Sequence, residues 1–216
     1  MLALTLPEKK SGPLKILCLG SHSDDIEIGC GGTILRLLSG QSEIEVAWVV
    51  FGSSNKRDQE ARDSADRFLV QAKKKNVAVK NFRDGFFPFE GAQIKDYFEE
   101  LKAVSPDLIF THNRKDAHQD HRLIAELTWN TFRNHLILEY EIPKYDGDMG
   151  QPNLFVPLEQ EIYEKKVRYI VESFETQRSK QWFGKDTFLA LMRLRGMECV
   201  APSGYAEAFY CRKLVL

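Results

Sequence analysis

Two short segments, almost a hundred positions apart, hold four of the five histidines of the chain. The first is residues 21–25, with the sequence Ser-His-Ser-Asp-Asp, and the second is residues 112–122, which include His118 and His121. Proteins bind zinc with imidazoles and carboxylates, and two imidazoles with one carboxylate leave a coordination position open for water. Zinc can lower the pKa of that water to about 7. The two segments together therefore predict one catalytic metal site.

The spacing within each segment is compatible with a shared ion. His22 and Asp25 can point inward from a single turn, and His118 and His121 lie on one face if their segment begins a helix. Asp24 is adjacent to a possible ligand but is not needed as one, so it can accept the proton of the water as a general base. The chemistry that follows is activation of a metal-bound water as a nucleophile.

The elements that must position these residues alternate between strands and helices. This alternation predicts a single domain over residues 1–216 with a Rossmann-like α/β fold, in which helices cover both faces of a mainly parallel sheet. Ligands in such sheets bind beyond the carboxyl ends of the strands, where both histidine segments fall. The predicted strands are 15–20, 43–51, one beginning at 77–79, 108–111, 136–142 and 206–216; the predicted helices are 30–38, 57–75, 93–104, 122–135, 159–174 and 185–195, and 145–157 is a predicted loop.

The histidine segments closely resemble the motifs of the LmbE-like and PIG-L family of zinc N-deacetylases, which includes the deacetylases of glycosylphosphatidylinositol precursors and of mycothiol and bacillithiol synthesis. The family's first motif, His-Pro-Asp-Asp followed by a Gly-Gly pair, appears as residues 22–25 and 31–32, and its second, His-x-Asp-His, as residues 118–121. Weaker similarities are Arg-x-x-Glu-Ala at residues 57–61 and Ala-Glu-x-Phe at residues 206–209. One departure is Ser23 in place of the usual proline, which removes a fixed φ from the first loop.

The resemblance implies removal of an N-acetyl group from an amino sugar or sugar conjugate of the N-acetylglucosamine type. It also implies a zinc cofactor, although two imidazoles and one carboxylate suit Fe²⁺ as well. Two other functions stay open: a metal-dependent phosphoesterase, which would need two adjacent metals, and a sugar-binding module without turnover. The implied site residues are His22, Asp25 and His121 as zinc ligands, Asp24 as general base, His118 to polarise the carbonyl or protonate the leaving amine, and Arg57 and Glu207 for substrate binding.

Composition limits the partners and the location. Lys and Arg number 30 against 31 Asp and Glu, so the net charge of −1 offers no broad attraction for nucleic acid. The sequence has neither a basic leader nor a run of about 20 apolar residues, and we expect a cytoplasmic protein with no membrane insertion. The four cysteines form no CxxC pair, which favours reduced thiols. The expected partner is a small N-acetylated sugar, and a homo-oligomer is compatible with the sequence.

Several conspicuous residues have simpler interpretations. His112 is expected to be hydrogen-bonded scaffold, and His135, on the fourth predicted helix, a surface or buried polar residue. The glycines of residues 29–32 favour tight packing of loop against helix over a dinucleotide site. Residues 73–75, three lysines, predict a solvated helix end. The aromatic residues 82–89 either line a sugar pocket or pack against a neighbouring subunit.

Overall fold

The computed structural model describes residues 12–40, 43–53 and 56–215. Strands and helices alternate along most of this part of the chain, with short 3-10 turns at Phe87–Phe89, Lys102–Val104 and Glu175–Gln177. The strands are β1 (Leu14–Gly20), β2 (Ile44–Val50), β3 (Lys74–Val79), β4 (Leu108–His112), β5 (Leu136–Tyr140), β6 (Leu154–Pro157) and β7 (Ala206–Cys211). The helices are α1 (Asp25–Gly40), α2 (Lys56–Phe68), α3 (Gly91–Leu101), α4 (Gln119–Thr131), α5 (Gln160–Ser173) and α6 (Lys185–Glu198).

The seven strands form one sheet in the order β3-β2-β1-β4-β5-β7-β6. The first five are parallel, and β7 runs antiparallel to both of its neighbours. The chain moves outward from β1 to β3 and then crosses to β4 on the other side of β1, so the loops after β1 and β4 diverge and leave a crevice between them. Because Cys18 pairs with Phe110, the ends of β1 and β4 lie side by side, and both histidine segments begin there.

Two hydrophobic clusters, one on each face of the sheet, bury the central strands. Leu17 and Leu19 of β1 belong to a cluster with residues of α3 and α4, whereas Ile16 and Cys18 belong to a cluster with residues of α1, α2, α5 and α6. Successive residues of a strand point to opposite faces, so a strand covered on both sides is apolar throughout. The predicted Rossmann-like α/β fold, mainly parallel with helices on both faces, is confirmed. The single-domain prediction includes residues 1–11, outside the described residues, and stays a prediction.

The three-lysine segment is the clearest error of the predicted elements. The predicted helix 57–75 ends at Phe68, and Lys74 and Lys75 begin the strand β3, where Lys74 pairs with Glu45 of β2. An edge strand has backbone partners on one side only, so exposed charged side chains are tolerated there and discourage pairing with other chains. Pairing with β2 therefore stabilises a strand at Lys74 and Lys75, although the local sequence pattern predicts a helix.

Smaller differences concern element ends. Helix α1 begins at Asp25 rather than residue 30, and β6 lies inside the predicted loop 145–157. His135 follows α4 instead of lying on it, and its ring packs edge-on against Phe132 at 5.2 Å. Strand β7 ends at Cys211, short of the predicted residue 216. None of the helices in the described ranges is both long and apolar enough to cross a membrane.

The glycines of residues 29–32 were predicted to pack a loop against a helix, but they lie inside α1 and let that helix pack closely on its neighbours. A Cβ at Gly31 would lie 2.6 Å from the ring of Phe68, and one at Gly29 would overlap the ring of Tyr140. At Gly32 the corresponding contact is Leu158, also at 2.6 Å. Real Cβ atoms do not approach other atoms this closely. Only glycine at these positions therefore allows α1 to lie so near to both the sheet and α2.

Candidate metal centre

The loop after β1 delivers the first two site residues. His22 is 8% exposed, and its backbone N–H donates to Asp25 Oδ2 over 2.6 Å, so the turn holds the carboxylate at the start of α1. Ser23, which replaces the family's proline, is buried and donates from Oγ to Ser53 Oγ over 3.1 Å. This hydrogen bond ties the first loop to the chain that follows β2.

The loop after β4 delivers the other two histidines. His118 caps the N-terminus of α4, and its Nδ1 accepts a hydrogen bond from the backbone N–H of Asp120 over 3.3 Å. His121 lies in the first turn of that helix and is buried. The predicted helical start therefore occurs, and it aims His121 at the loop after β1.

Three donor atoms from these two loops form a nearly regular triangle. His22 Nδ1 lies 3.2 Å from His121 Nε2, His22 Nδ1 lies 3.4 Å from Asp25 Oδ2, and His121 Nε2 lies 3.5 Å from the same oxygen. Donors about 2.0–2.1 Å from a tetrahedral zinc ion are roughly 3.3 Å apart. The three atoms can therefore hold one such ion and leave its fourth position open.

Carboxylates lie behind both histidines of the triangle. His22 Nε2 is 3.3 Å from Asp120 Oδ2 and 3.1 Å from Asp84 Oδ1, and His121 Nδ1 is 3.0 Å from Asp116 Oδ2. A carboxylate acceptor keeps the proton on the nitrogen that it faces, so the lone pairs of His22 Nδ1 and His121 Nε2 point at each other. When both imidazoles are neutral, these lone pairs and the carboxylate repel one another unless a cation lies between them. Either a proton on His22 Nδ1 or a metal ion can take that place, which is the fit expected of a metal site.

The same carboxylates set the proton affinity of the two imidazoles. Burial disfavours the charged form of His22, but hydrogen bonds to Asp120, Asp25 and Asp84 outweigh burial and raise its pKa well above the ordinary value. Burial lowers the pKa of His121 to about 4. A metal ion at the triangle therefore competes with a proton on His22 and not with one on His121.

Asp24 is the buried carboxylate beside the triangle that ligand geometry does not require. It is 4% exposed, and its Oδ2 has no hydrogen-bond partner among the described residues. Burial and the neighbouring negative charge of Asp25 raise the pKa of Asp24, while Arg57 and His22 oppose that rise. Its position and its unused oxygen suit a proton acceptor.

His118 lies at the edge of the same cluster and is half-buried. Its ring centroid is 5.0 Å from that of His22 and 4.6 Å from that of His121. Burial and the charge of His22 lower the pKa of His118, so a neutral ring is favoured. Because Nδ1 accepts from the backbone, Nε2 carries the proton and can donate a hydrogen bond to a carbonyl oxygen.

Potential ligand atoms also group in other ways. The donors of His22, His118 and His121 lie within 4.8 Å of one another, and so do those of Asp25, His112 and His121. His112 Nε2, however, accepts the backbone N–H of Ser21 over 2.9 Å, so its lone pair is engaged, and its buried ring stacks on His121 at 3.9 Å. The triangle therefore has the freer donor atoms, and the engaged Nε2 of His112 is consistent with the predicted scaffold role.

The two predicted substrate-binding residues have different surroundings. Arg57 Nη1 lies 3.4 Å from Asp84 Oδ2, and Asp84 also contacts His22, so Arg57 is close to the site. Glu207 is buried on β7, where it accepts the backbone N–H groups of Gly32 and Thr33, each over 2.7 Å, and the ammonium of a buried lysine over 2.6 Å. This placement favours a structural carboxylate; substrate contact by Arg57 and Glu207 stays a prediction.

Three carboxylates that contact the candidate ligands His22 and His121 were not selected from the sequence: Asp84, Asp116 and Asp120. Asp116 and Asp120 lie inside the second histidine segment, and acidic residues beside candidate ligands are a usable signal, since metal-binding histidines need acceptors behind them. Asp84 lies 37 positions before His121 in the aromatic segment, and nothing local indicates its contact with His22.

The aromatic residues 82–89 flank this site. The backbone N–H groups of Gly85 and Phe87 donate to Asp120 over 2.7 and 3.2 Å, and the buried Phe87 ring is 5.9 Å from that of His22. Phe86 and Phe89 are 38% and 80% exposed. The segment thus buries one side of His22 and also presents aromatic surface to solvent.

Comparisons with known proteins agree with this arrangement. The family model "PIG-L: GlcNAc-PI de-N-acetylase" matches residues 17–132, more than half of the chain and both histidine segments. The uncharacterized deacetylase YaiS of Escherichia coli K12 is 28% identical over 160 residues, 65% of this chain and 78% of its own.

Solved structures show how widely the fold is used. The N,N′-diacetylchitobiose deacetylase of Pyrococcus horikoshii is similar with a TM-score of 0.69 and 21% identity, over 91% of this chain and 83% of its own. The 4-carboxy-2-hydroxymuconate hydratase of Pseudomonas putida KT2440 is similar with a TM-score of 0.74 and 14% identity, over 94% of this chain and 98% of its own. A deacetylase and a hydratase share this fold, so the fold alone does not decide the reaction.

Proposed function

Since the chain belongs to the PIG-L family of deacetylases, we propose that it is a zinc-dependent hydrolase that removes the N-acetyl group of an amino sugar or sugar conjugate. The observation that carries the proposal is the triangle of His22 Nδ1, His121 Nε2 and Asp25 Oδ2, with edges of 3.2, 3.4 and 3.5 Å. Its donor set leaves a position for water, as catalytic zinc sites do. Fe²⁺ suits the same donors and is the alternative metal.

The roles of the chain's own residues follow from their positions. Zinc, when bound, polarises the amide carbonyl and lowers the pKa of water. Asp24 takes the proton of the attacking water on Oδ2, the oxygen that no other described group engages. His118, neutral and with its proton on Nε2, donates a hydrogen bond to the carbonyl oxygen, and Asp24 passes the proton it took from water to the departing amine.

Relatives and surroundings indicate the substrate class. The family model and the Pyrococcus structure are both named for deacetylation of acetylated sugars, which supports an N-acetylglucosamine-type substrate. Arg57 sits at the site through Asp84, where it can contact a substrate hydroxyl or an anionic substituent. We also propose that the protein acts in the cytoplasm. Its free cysteines and a small soluble sugar substrate agree with that location.

Acetate release tests this function. The protein is stripped with a chelator, reloaded with zinc or Fe²⁺, and incubated with a panel of N-acetylated sugars and sugar conjugates. We expect one metal per chain and acetate release that requires the metal. Two metals per chain with phosphate-ester cleavage would favour the phosphoesterase instead, and tight sugar binding without acetate release would favour the binding module.

A further inference from the structure

A loop of residues 143–150, which follows β5, reaches the second histidine segment through Lys144. The ammonium of Lys144 lies 3.1 Å from Asp116 Oδ1 and 2.6 Å from Asp148 Oδ2, and its side chain is only 10% exposed. Asp148 Oδ2 also accepts the backbone N–H of Ala117 over 2.6 Å. The loop is therefore attached to the segment at two points, one ionic and one through the backbone.

Asp116 connects Lys144 to the metal triangle. Its Oδ2 is 3.0 Å from His121 Nδ1, and its Oδ1 accepts the backbone N–H of His118 over 2.8 Å in addition to facing Lys144. Asp116 is 4% exposed. A buried carboxylate needs a charged or hydrogen-bonding partner for each oxygen, and among the described residues Lys144 is the cation that meets it.

We propose that Lys144 is a positioning residue for the metal ligand His121, which it orients through Asp116, and that Asp148 anchors Lys144. Lys144 and the backbone N–H of His118 hold Oδ1 together, so Lys144 helps to fix the rotation of the Asp116 carboxylate, and Oδ2 stays in line with His121 Nδ1. The imidazole then keeps both its ring orientation and the Nε2 lone pair directed at the triangle. This inference rests on the proposed function, since it assumes that His121 binds the metal.

The test compares Lys144→Met with Lys144→Arg and with a matched control, Lys115→Met. Lys115 is an exposed lysine of the same segment that makes no side-chain ion pair in the described structure. Zinc affinity is measured by competition with a chromophoric chelator, and the ligand field by the visible spectrum of the cobalt-substituted protein. Lys144→Met is expected to weaken zinc binding about tenfold and to shift the cobalt bands. Lys144→Arg restores most of the affinity, and Lys115→Met matches the wild type.

A second variant tests the inference in case Lys144→Met does not fold. Asp148→Asn leaves Lys144 in place but weakens its anchor, so a loss of affinity of a few-fold is expected. On an Asp116→Asn background, Lys144→Met should have no further effect, because the link to His121 is already cut. Zinc affinity within twofold of the wild type and an unchanged cobalt spectrum, in whichever of Lys144→Met and Asp148→Asn folds, overturns the inference.

Measurements on the wild type distinguish failure of the Lys144 inference from failure of the proposed function. A wild-type protein that binds no zinc contradicts the proposed function itself. A wild-type protein that binds one zinc and releases acetate, beside a Lys144→Met variant with the same affinity, contradicts only the role of Lys144.

Discussion

Glu207→Gln is the change whose outcome the structure specifies most fully. Glu207 pairs over 2.6 Å with Lys166, which is 2% exposed and also donates to the backbone oxygen of Ile28 over 2.6 Å. The substitution keeps the size of the side chain but leaves the Lys166 ammonium without its counter-charge in the interior. It also turns an amide NH₂ toward one of the two backbone N–H donors of α1.

The size of the effect follows from burial. Breaking one partner of a buried ion pair costs about 3–5 kcal/mol, against at most about 1 kcal/mol for an exposed pair. For a chain of this length, 3 kcal/mol corresponds to a fall in Tm of roughly 6–12 °C. Glu159→Gln is the matched control, because Glu159 and Arg36 form an ion pair in which their side chains are 62% and 44% exposed. This substitution should change Tm by less than about 4 °C.

Thermal and urea unfolding at neutral pH measure both variants, and steady-state kinetics on the acetylated substrate are measured in parallel. The double variant Lys166→Met, Glu207→Leu removes both charges and should be more stable than Glu207→Gln alone. If Glu207→Gln unfolds like the wild type while its KM rises severalfold, the structural interpretation is wrong and Glu207 contacts substrate, as the sequence predicts.

The remaining predictions concern the metal site and its support. Asp24→Asn should retain zinc but lower kcat about 10² to 10⁴-fold, and unchanged turnover in a zinc-loaded sample would exclude it as the base. His121→Ala should lower zinc content, and elemental analysis that finds one zinc per chain would contradict its role as a ligand. Zinc affinity should rise as the pH rises through the ordinary histidine range and above it, because the proton of His22, whose pKa is raised above that range, must leave before the metal binds; a flat profile by calorimetry would oppose this. Gly29→Ala should destabilise the fold by roughly 1–3 kcal/mol, since its methyl group overlaps the Tyr140 ring, and wild-type urea unfolding would refute that overlap.

Much of the site can be predicted from sequence because its chemistry is concentrated in two short segments. His22, Asp24 and Asp25 share one turn, and His118 and His121 share one helix start, so local spacing nearly determines which side chains point together. The strand ends that carry both segments follow from the alternation of strands and helices, and the parallel register of β1 and β4 brings them side by side. These features depend on neighbours in sequence or on a general rule of the fold class.

The type of sheet, the two histidine segments and the family they indicate are all predictable from the sequence. The contacts of Asp84 and Asp120 with His22, the link from Lys144 through Asp116 to His121, and the strand formed by the lysines of β3 appear only in the folded chain. Each of these depends on a contact between residues distant in the chain, set by strand order and register. Local propensity carries no information about such a contact, because the energy of a buried charge or of an edge strand is defined only once its partner is in place.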